Sequence, residues 1–122
     1  MSKTSKLISK NIRVIKNFPK KGILFQDIFS LTEKPVIFNA ITTEIVRLIK
    51  QNRITKIAGI ESRGFIFASA AALKSQIPFI PIRKQPNKLP GPIYKQKYKL
   101  EYGSDEIQIQ KNAITKNDKI LI

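Results

Sequence analysis

The chain has 122 residues, which suffices for one domain with a buried core but not for two. It contains no cysteine and no histidine, so disulfide bonds, thiolate nucleophiles, imidazole bases and the usual zinc ligands are excluded. Lys and Arg total 23 against 8 Asp and Glu, a formal net charge of +15, which favours an anionic ligand.

The first elements in chain order form an N-terminal segment. Residues 12–15, "IRVI", predict either a short strand or the end of a helix. In "NFPKKGILFQDI", Pro19 and Gly22 indicate a turn, and the apolar residues 23–25 that follow predict an extended run. This part of the sequence therefore predicts local extended structure around one turn.

A helix and a β-α-β unit follow. Residues 35–51 predict a helix that begins with a proline in its first turn. Its expected apolar face consists of Ile37, Ile41, Ile45 and Leu48. Residues 55–61 predict a buried strand, 63–76 a helix rich in small residues, and 78–83 a second strand. That order predicts a crossover connection and a parallel sheet.

The last third of the sequence predicts a hairpin and one more core strand. Residues 93–102 and 106–111 form the expected arms around a turn at 103–105. The first arm is expected to present one face made of Tyr94, Tyr98, Leu100 and Tyr102. Residues 116–118 predict a polar turn, and 120–122 predict the start of a buried strand.

Three stretches carry residues suited to chemistry: "AGIESRGF" (58–65), "RKQPNKLPG" (83–91) and "LEYG" (100–103). Arg63 stands where a helix begins, and a helix N-terminus beside a guanidinium suits an anion, although an ordinary turn with a surface arginine is the alternative. The second stretch is a loop stiffened by prolines that carries the cations Arg83, Lys84 and Lys88. Such a loop suits a pyrophosphate, and an ordinary solvated basic loop is the alternative. Glu101 is a candidate base, or a surface carboxylate paired with neighbouring lysines.

Together these stretches, with "FPKKGILFQDI" (18–28) and the final "DKILI", resemble the adenine phosphoribosyltransferase family over nearly the whole chain. The resemblance implies an α/β fold of the type I phosphoribosyltransferases, with a mainly parallel sheet, flanking helices and a β-hairpin flap. It implies the reaction of adenine with 5-phosphoribosyl 1-pyrophosphate to give AMP and pyrophosphate, with Mg²⁺. It also implies a homodimer.

The resemblance assigns the adenine side of the site. It implies that Phe25 stacks on adenine and that the backbone of Leu24 and Gln26 reads the Watson–Crick edge of the base. Glu101 is implied as the catalytic residue that takes or holds the adenine proton, and Tyr102 as part of a lid that excludes water. The family usually has an arginine where this chain has Gln26, which predicts a looser pocket if that arginine braces a neighbour.

On the other substrate, the resemblance implies Arg63 as a ligand near the substrate junction. It implies Arg83, Lys84 and Lys88 as the cations that hold the pyrophosphate. The loop that carries them is one residue longer than usual between Lys84 and Lys88, which makes the place of Lys88 the least defined of the four. No residue of the protein is implied as a metal ligand.

We expect a single phosphoribosyltransferase domain in which the parts differ in role. The parts are an N-terminal adenine-side segment (1–34), a β-α-β core (35–92), a hairpin flap (93–111) and the start of the next core strand (112–122). In the family the strand matching "KILI" runs into an acidic pair and a Thr-Gly-Gly turn that hold the ribose and its 5′-phosphate. Because the printed sequence stops before that point, we expect a truncated form that makes little or no AMP by itself.

Two alternatives remain open at this point. The net charge is also typical of a non-catalytic basic module that binds nucleotides or nucleic acid, although the lysines are scattered and outnumber the arginines 18 to 5. A regulatory or dimer-forming remnant is the other. No apolar run approaches the roughly 18 residues of a membrane span, so we expect a cytoplasmic protein without a membrane partner. Because the lysines are scattered, we expect a small anionic ligand and no nucleic-acid partner.

Overall fold

The computed structural model describes all residues, Met1–Ile122. The chain divides into two compact units, Met1–Glu44 and Ile45–Ile122. The longest helix begins in the first unit and ends in the second. None of the helices is long and apolar enough to cross a lipid bilayer.

The first unit contains a two-stranded antiparallel ribbon and short helices. Its elements are α1 (Lys3–Asn11), β1 (Arg13–Lys16), β2 (Leu24–Asp27), α2 (Phe29–Thr32) and the start of α3 (Pro35–Gln51). The structure shows that "IRVI" belongs to a strand, because β1 pairs with β2 in the register Ile15↔Phe25. Helix α1 was not predicted. It begins where the Ser2 hydroxyl accepts a hydrogen bond from the Ser5 N–H at 3.0 Å, an N-cap.

Helix α3 has the predicted bounds, Pro35–Gln51. Its most buried apolar side chains are Ile37, Val46 and Ile49, at 5%, 8% and 3% exposure. The predicted positions Ile41 and Ile45 are half-buried. The helix therefore has an apolar face, but in its second half the most buried positions are one residue later than the predicted ones.

The second unit contains a five-stranded sheet with the strand order β5-β6-β4-β3-β7. Its elements are β3 (Lys56–Ile60), α4 (Arg63–Ser75), β4 (Phe79–Lys84), β5 (Ile93–Lys99), β6 (Ser104–Gln110), a 3-10 helix (Lys111–Ala113) and β7 (Ile120–Leu121). Strand β3 is parallel to both β4 and β7, which confirms the α/β class and the β-α-β unit. The hairpin β5–β6 extends this sheet in the antiparallel sense through β4, so the sheet is mixed.

Apolar clusters cover both faces of the β3–β4 region. On one face Ile57 packs with the small residues of α4, of which Ala71 is fully buried. On the other face Ala58, Ile80 and Ile82 form a cluster against which side chains of β6 pack. Burial on both faces explains why the sequences of these strands read as continuous apolar runs.

The hairpin turn lies earlier than the sequence predicts. Strand β5 ends at Lys99, which pairs with Ser104 at the start of β6, so the turn is Leu100–Gly103. Gly103 adopts φ +92°, a left-handed conformation that suits glycine and closes the turn. Tyr102 is therefore in the turn and 84% exposed, instead of sharing a strand face with Tyr98. The final strand is half-buried.

Candidate anion-binding site

The loops that follow β3 and β4 meet at one edge of the sheet. The strands are parallel and Ile60 pairs with Ile82, so their carboxyl ends lie side by side. A cavity of about 370 Å³ opens between the two loops. Its lining residues are Glu61, Ser62, Arg63, Lys84, Gln85, Lys88 and Asp105. Three of the predicted substrate-binding cations therefore face one space.

The N-terminus of α4 forms one wall of this cavity. The helix begins at Arg63, and the side chain of its N-cap residue, Ser62, makes no capping hydrogen bond. The first-turn N–H groups of a helix have no partner inside the helix and carry partial positive charge. This end of α4 therefore adds electrostatic attraction for an anion to that of the Arg63 side chain.

Glu61 links the loop after β3 to the end of β4. Its Oε2 accepts hydrogen bonds from Arg83 Nε at 2.9 Å and from the Lys84 backbone N–H at 2.7 Å, and its Oε1 accepts one from Arg83 Nη2 at 3.3 Å. The hydrogen bonds from Arg83, followed by the one from Lys84, lower the pKa of Glu61 below its ordinary value, and the charge of Lys88 adds to this effect. The same contacts raise the pKa of Arg83. The carboxylate is therefore ionised and neutralised by the guanidinium.

The second carboxylate of the cavity is engaged as well. Asp105 accepts a hydrogen bond from the Tyr98 hydroxyl at 3.0 Å and one from the Glu106 backbone N–H at 2.8 Å. Burial, and then the hydrogen bond to Asp105, raise the pKa of Tyr98 above its ordinary value. Lys84 and Lys88 take part in none of the ion pairs of the structure, so their charges are available to a ligand.

The cationic loop after β4 has a defined backbone. Gln85 and Asn87 adopt φ values of +69° and +61°, the left-handed region that few non-glycine residues occupy. The Gln85 N–H donates to the carbonyl of Glu106 at 2.7 Å, which ties the loop to β6. The loop that carries Lys88 is thus anchored to β6 at its first residue, Gln85. Such a defined loop is expected for a residue that binds a specific anion.

A second cavity of about 610 Å³ adjoins the first beside the hairpin. The residues that line both cavities are Gln85, Lys88 and Asp105. Glu101 lines neither cavity and is exposed in the turn at the tip of the hairpin. It forms none of the ion pairs, so the alternative in which it pairs with the lysines of β5 is wrong for this conformation.

The predicted adenine-side residues lie on β2 in the first unit. Leu24 is 64% exposed and Gln26 is exposed, whereas Phe25 is half-buried. The Phe25 ring meets the ring of Phe18 edge-on, with centroids 5.1 Å apart and planes at 75°. Strand β2 pairs only with β1, so its other edge has no strand partner. An exposed strand edge beside a fixed aromatic ring is suited to a flat base with a polar edge.

A network of charges holds the end of β2. Asp27, 7% exposed, accepts hydrogen bonds from Arg13 Nε at 3.0 Å and from the Phe29 N–H at 3.1 Å. Arg13 also donates to Glu33 at 3.1 Å. The contact with Arg13 lowers the pKa of Asp27 below its usual range. The strand that carries Leu24, Phe25 and Gln26 is therefore fixed at its C-terminal end.

Sequence reasoning placed the cations and Glu61 at the strand ends but did not predict the pairing of Glu61 with Arg83 or the presence of Asp105 in the cavity. Arg83 does not line the cavity, because its guanidinium bonds to Glu61, 22 residues earlier in the chain. Asp105 was assigned only to a turn. The available signal was its place at the end of the hairpin beside a tyrosine on the facing strand, Tyr98.

The chain is similar in sequence to known enzymes of one kind. It is 47% identical over 122 residues to the adenine phosphoribosyltransferase of Actinobacillus succinogenes, covering all of this chain and 67% of that protein. It is 48% identical over 115 residues to adenine phosphoribosyltransferase 1 of Triticum aestivum, covering 94% of this chain and 63% of that protein. The chain thus spans about two thirds of the length of these curated relatives. No family model matches it.

Solved structures agree with the sequence comparison. The adenine phosphoribosyltransferase of Saccharomyces cerevisiae, complexed with an imino-altritol bisphosphate and adenine, superposes with a TM-score of 0.90 at 34% identity and covers 98% of this chain and 70% of that one. The enzyme of Giardia lamblia, complexed with 9-deazaadenine, superposes with a TM-score of 0.85 at 32% identity, covering 98% and 66%. The architecture described above is shared with both.

Proposed function

The chain belongs to the adenine phosphoribosyltransferase family, and we propose that its residues bind adenine and the diphosphate end of 5-phosphoribosyl 1-pyrophosphate. The observation that carries the proposal is the cavity at the carboxyl ends of β3 and β4, which Arg63, Lys84 and Lys88 line beside the N-terminus of α4. A diphosphate is an anion of high charge density that needs several donors at once, and this cavity supplies them.

The proposed reaction is the transfer of the phosphoribosyl group from pyrophosphate to adenine, which gives AMP. The negative charge that develops on the departing pyrophosphate is stabilised by cations already in place, and such preorganised charge is the usual main source of rate enhancement. Arg63, which begins α4 shortly after the end of β3, is proposed to contact the substrate near the bond that breaks. Lys84 and Lys88 are proposed to hold the pyrophosphate.

For adenine, we propose the roles implied by the family resemblance. Phe25 stacks on the ring, and the backbone of Leu24 and Gln26 pairs with its Watson–Crick edge. The exposure of this strand edge and the edge-on support of Phe25 by a second ring favour these roles. Glu101 is proposed to take or hold the proton of the base, and Tyr102, which lies in the same turn, to close over the site.

Magnesium fits this site as part of the substrate. The described residues contain no group of three or more His, Cys, Asp or Glu side chains that could hold a metal ion. The two carboxylates of the cavity are engaged, Glu61 by Arg83 and Asp105 by Tyr98. We therefore propose that Mg²⁺ is held by the diphosphate oxygens and neutralises the leaving group there, since Mg²⁺ favours phosphate oxygens and retained water.

Assembly and location stay predictions. The family resemblance implies a homodimer, and the solution mass by light scattering tests this directly. The prediction of a cytoplasmic protein rests on the short apolar runs of the sequence. Neither the binding roles of the cations nor those of the adenine-side residues depend on these two predictions.

The test of the proposed function is calorimetric titration of pyrophosphate with Mg²⁺ into the 122-residue chain. We expect binding that competes with 5-phosphoribosyl 1-pyrophosphate and that weakens about tenfold or more when Lys84 and Lys88 are both changed to Gln, because each charged hydrogen bond is worth about 1.5–3 kcal/mol. The control is Lys95→Gln with Lys99→Gln, which removes the same charge from β5 at residues that line neither cavity.

Equal loss in the two double variants would mean that only net charge attracts the anion, and the site assignment would fail. Competition by a short duplex DNA at the same concentration would favour the basic nucleic-acid module instead. For a nucleic-acid module, the affinity should fall steeply as the salt concentration rises. For the proposed pyrophosphate site, most of the affinity should remain as the ionic strength rises.

A further inference from the structure

We propose that Glu61 and Arg83 form a brace between the loop after β3 and the end of β4, in which Glu61 is a positioning residue and Arg83 is its partner and not a diphosphate ligand. This inference deepens the proposed function and rests on it. It removes Arg83 from the set of cations that the family resemblance implies as pyrophosphate ligands. The anion is held by Arg63, Lys84 and Lys88, whereas Arg83 at the end of β4 binds another residue of the protein, Glu61.

The direction of the Arg83 guanidinium is the first observation. Two of its donor atoms, Nε and Nη2, point at the two carboxylate oxygens of Glu61, at 2.9 and 3.3 Å. This is a side-on bidentate pair, the geometry in which a guanidinium and a carboxylate bind each other best. Both side chains are about two-thirds buried or more, and Arg83 is absent from the cavity lining whereas Glu61 is part of it.

The backbone contact of Glu61 is the second observation. The same Oε2 that binds Arg83 accepts the Lys84 N–H at 2.7 Å. The Glu61 N–H in turn donates to the carbonyl of Ile82 at 2.9 Å. The first loop is thus joined to the end of β4 through both its backbone and its side chain. These contacts fix where the Lys84 side chain leaves the strand relative to Arg63, two residues after Glu61.

Charge is the third consideration. A carboxylate at the lip of a diphosphate site repels the ligand unless a cation neutralises it. Arg83 supplies that cation, so the pair contributes little net charge to the cavity. Removal of Arg83 alone leaves Glu61 ionised beside the anion, whereas removal of both charges restores neutrality. A ligand role and a brace role for Arg83 therefore predict opposite results for the double variant.

The first experiment measures pyrophosphate affinity by calorimetry for the wild type, Arg83→Gln, Glu61→Gln and the double variant. We expect Arg83→Gln to weaken binding about tenfold or more. We expect the double variant to return to within about threefold of the wild type, since a broken pair is costlier than an absent one and the glutamine that replaces Glu61 keeps an amide oxygen as acceptor for the Lys84 N–H. A double variant as weak as Arg83→Gln would overturn the brace and make Arg83 a ligand.

A matched pair of variants separates the brace from general electrostatics. Glu61→Gln also removes a negative charge from the surroundings of any other cation, so we add Lys88→Gln with and without Glu61→Gln. The brace predicts that Glu61→Gln restores much more affinity in the Arg83→Gln background than in the Lys88→Gln background. Equal restoration in both backgrounds would contradict it.

A second measurement decides the inference even if the chain binds no pyrophosphate. Amide hydrogen exchange followed by NMR reports the Lys84 N–H, whose acceptor is the Glu61 carboxylate. In Glu61→Ala we expect this amide to exchange about tenfold faster or more, while the amides of β3 and α4 keep their rates. An unchanged Lys84 amide would overturn the brace. A wild type that fails to bind pyrophosphate while this change is seen would refute the proposed function alone.

Discussion

Glu101 lies in the exposed turn that joins β5 to β6, and no basic side chain pairs with its carboxylate. A carboxylate with these surroundings contributes little to folding. Its type and place are instead suited to a group that meets its target when a substrate is bound, because catalytic contacts are often absent from structures without ligand. The role proposed for Glu101 therefore concerns function and not stability.

This separation gives a prediction for Glu101→Gln. The variant should unfold within about 0.5 kcal/mol of the wild type, as exposed substitutions usually do. In a version that also carries the acidic pair and the Thr-Gly-Gly turn of the family, the rate of AMP formation from adenine, 5-phosphoribosyl 1-pyrophosphate and Mg²⁺ should fall by about 10²–10⁴-fold, the usual contribution of a positioned acid or base. An unchanged rate would show that Glu101 is only a surface residue.

At the scale of elements, the packing of α4 on β3 places the helix N-terminus at the site. A Cβ atom at Gly59 would lie 2.7 Å from the carbonyl oxygen of Gly64 and 2.9 Å from the Cβ of Ala68. Helix and strand therefore approach each other as closely as a glycine permits. Any widening of this contact moves Arg63, which begins the helix.

We predict that Gly59→Ala destabilises the fold by about 1–3 kcal/mol, the usual range for overpacking in a close-packed core. Denaturant unfolding followed by circular dichroism measures this. Gly64→Ala is the matched control, because its Cβ would meet nothing nearer than 3.5 Å and alanine is favoured over glycine in a helix. Equal stability of the two variants would show that the helix can shift away from the strand at little cost.

A second contact between elements holds the loop before β7 against the start of β3. Asp118 accepts hydrogen bonds from the Thr115 N–H at 2.8 Å and the Thr55 hydroxyl at 2.9 Å, and forms an ion pair with Lys56 at 2.8 Å. The contact with Lys56, aided by the N–H of Thr115 and the hydroxyls, lowers the pKa of Asp118 to about 2. The ionised side chain is therefore favoured by the folded state.

The sign of the pH dependence follows from that shift. The folded chain binds the proton of Asp118 less readily than the unfolded chain, whose carboxyl titrates near 3.8. The stabilisation is present above this value and is lost as the pH falls toward 2. We predict that Asp118→Asn lowers the urea midpoint at neutral pH and reduces its fall across this acidic range. A variant with the same acid sensitivity as the wild type would exclude Asp118 as the cause.

At the scale of the whole chain, local signals could predict α3, β3, α4 and β4, because Pro35 and the apolar runs appear directly in the sequence. Helix α1 could not be predicted, since Leu7 and Ile8 are its only large apolar residues and a serine cap alone is a weak signal. The cations Lys84 and Lys88 were evident from their place after a strand. The pairing of Arg83 was not, because it depends on a carboxylate 22 residues away.

The charge of the whole molecule acts on the same chemistry. A formal charge of +15 raises the local concentration of any anion, including ones that do not fit. Selectivity among substrates must therefore come from uncharged contacts. The edge of β2 and the ring of Phe25 are the proposed source of that selectivity, because a base carries no charge for the lysines to attract.

The most direct test of the proposed adenine site is a calorimetric comparison of adenine, hypoxanthine and guanine, each titrated into the chain in the presence of pyrophosphate and Mg²⁺. We predict that adenine binds at least about tenfold more tightly than the other two, because a strand edge that pairs with one pattern of donors and acceptors leaves polar groups unpaired with another. Equal affinity for the three bases, or no binding of adenine at all, would contradict it.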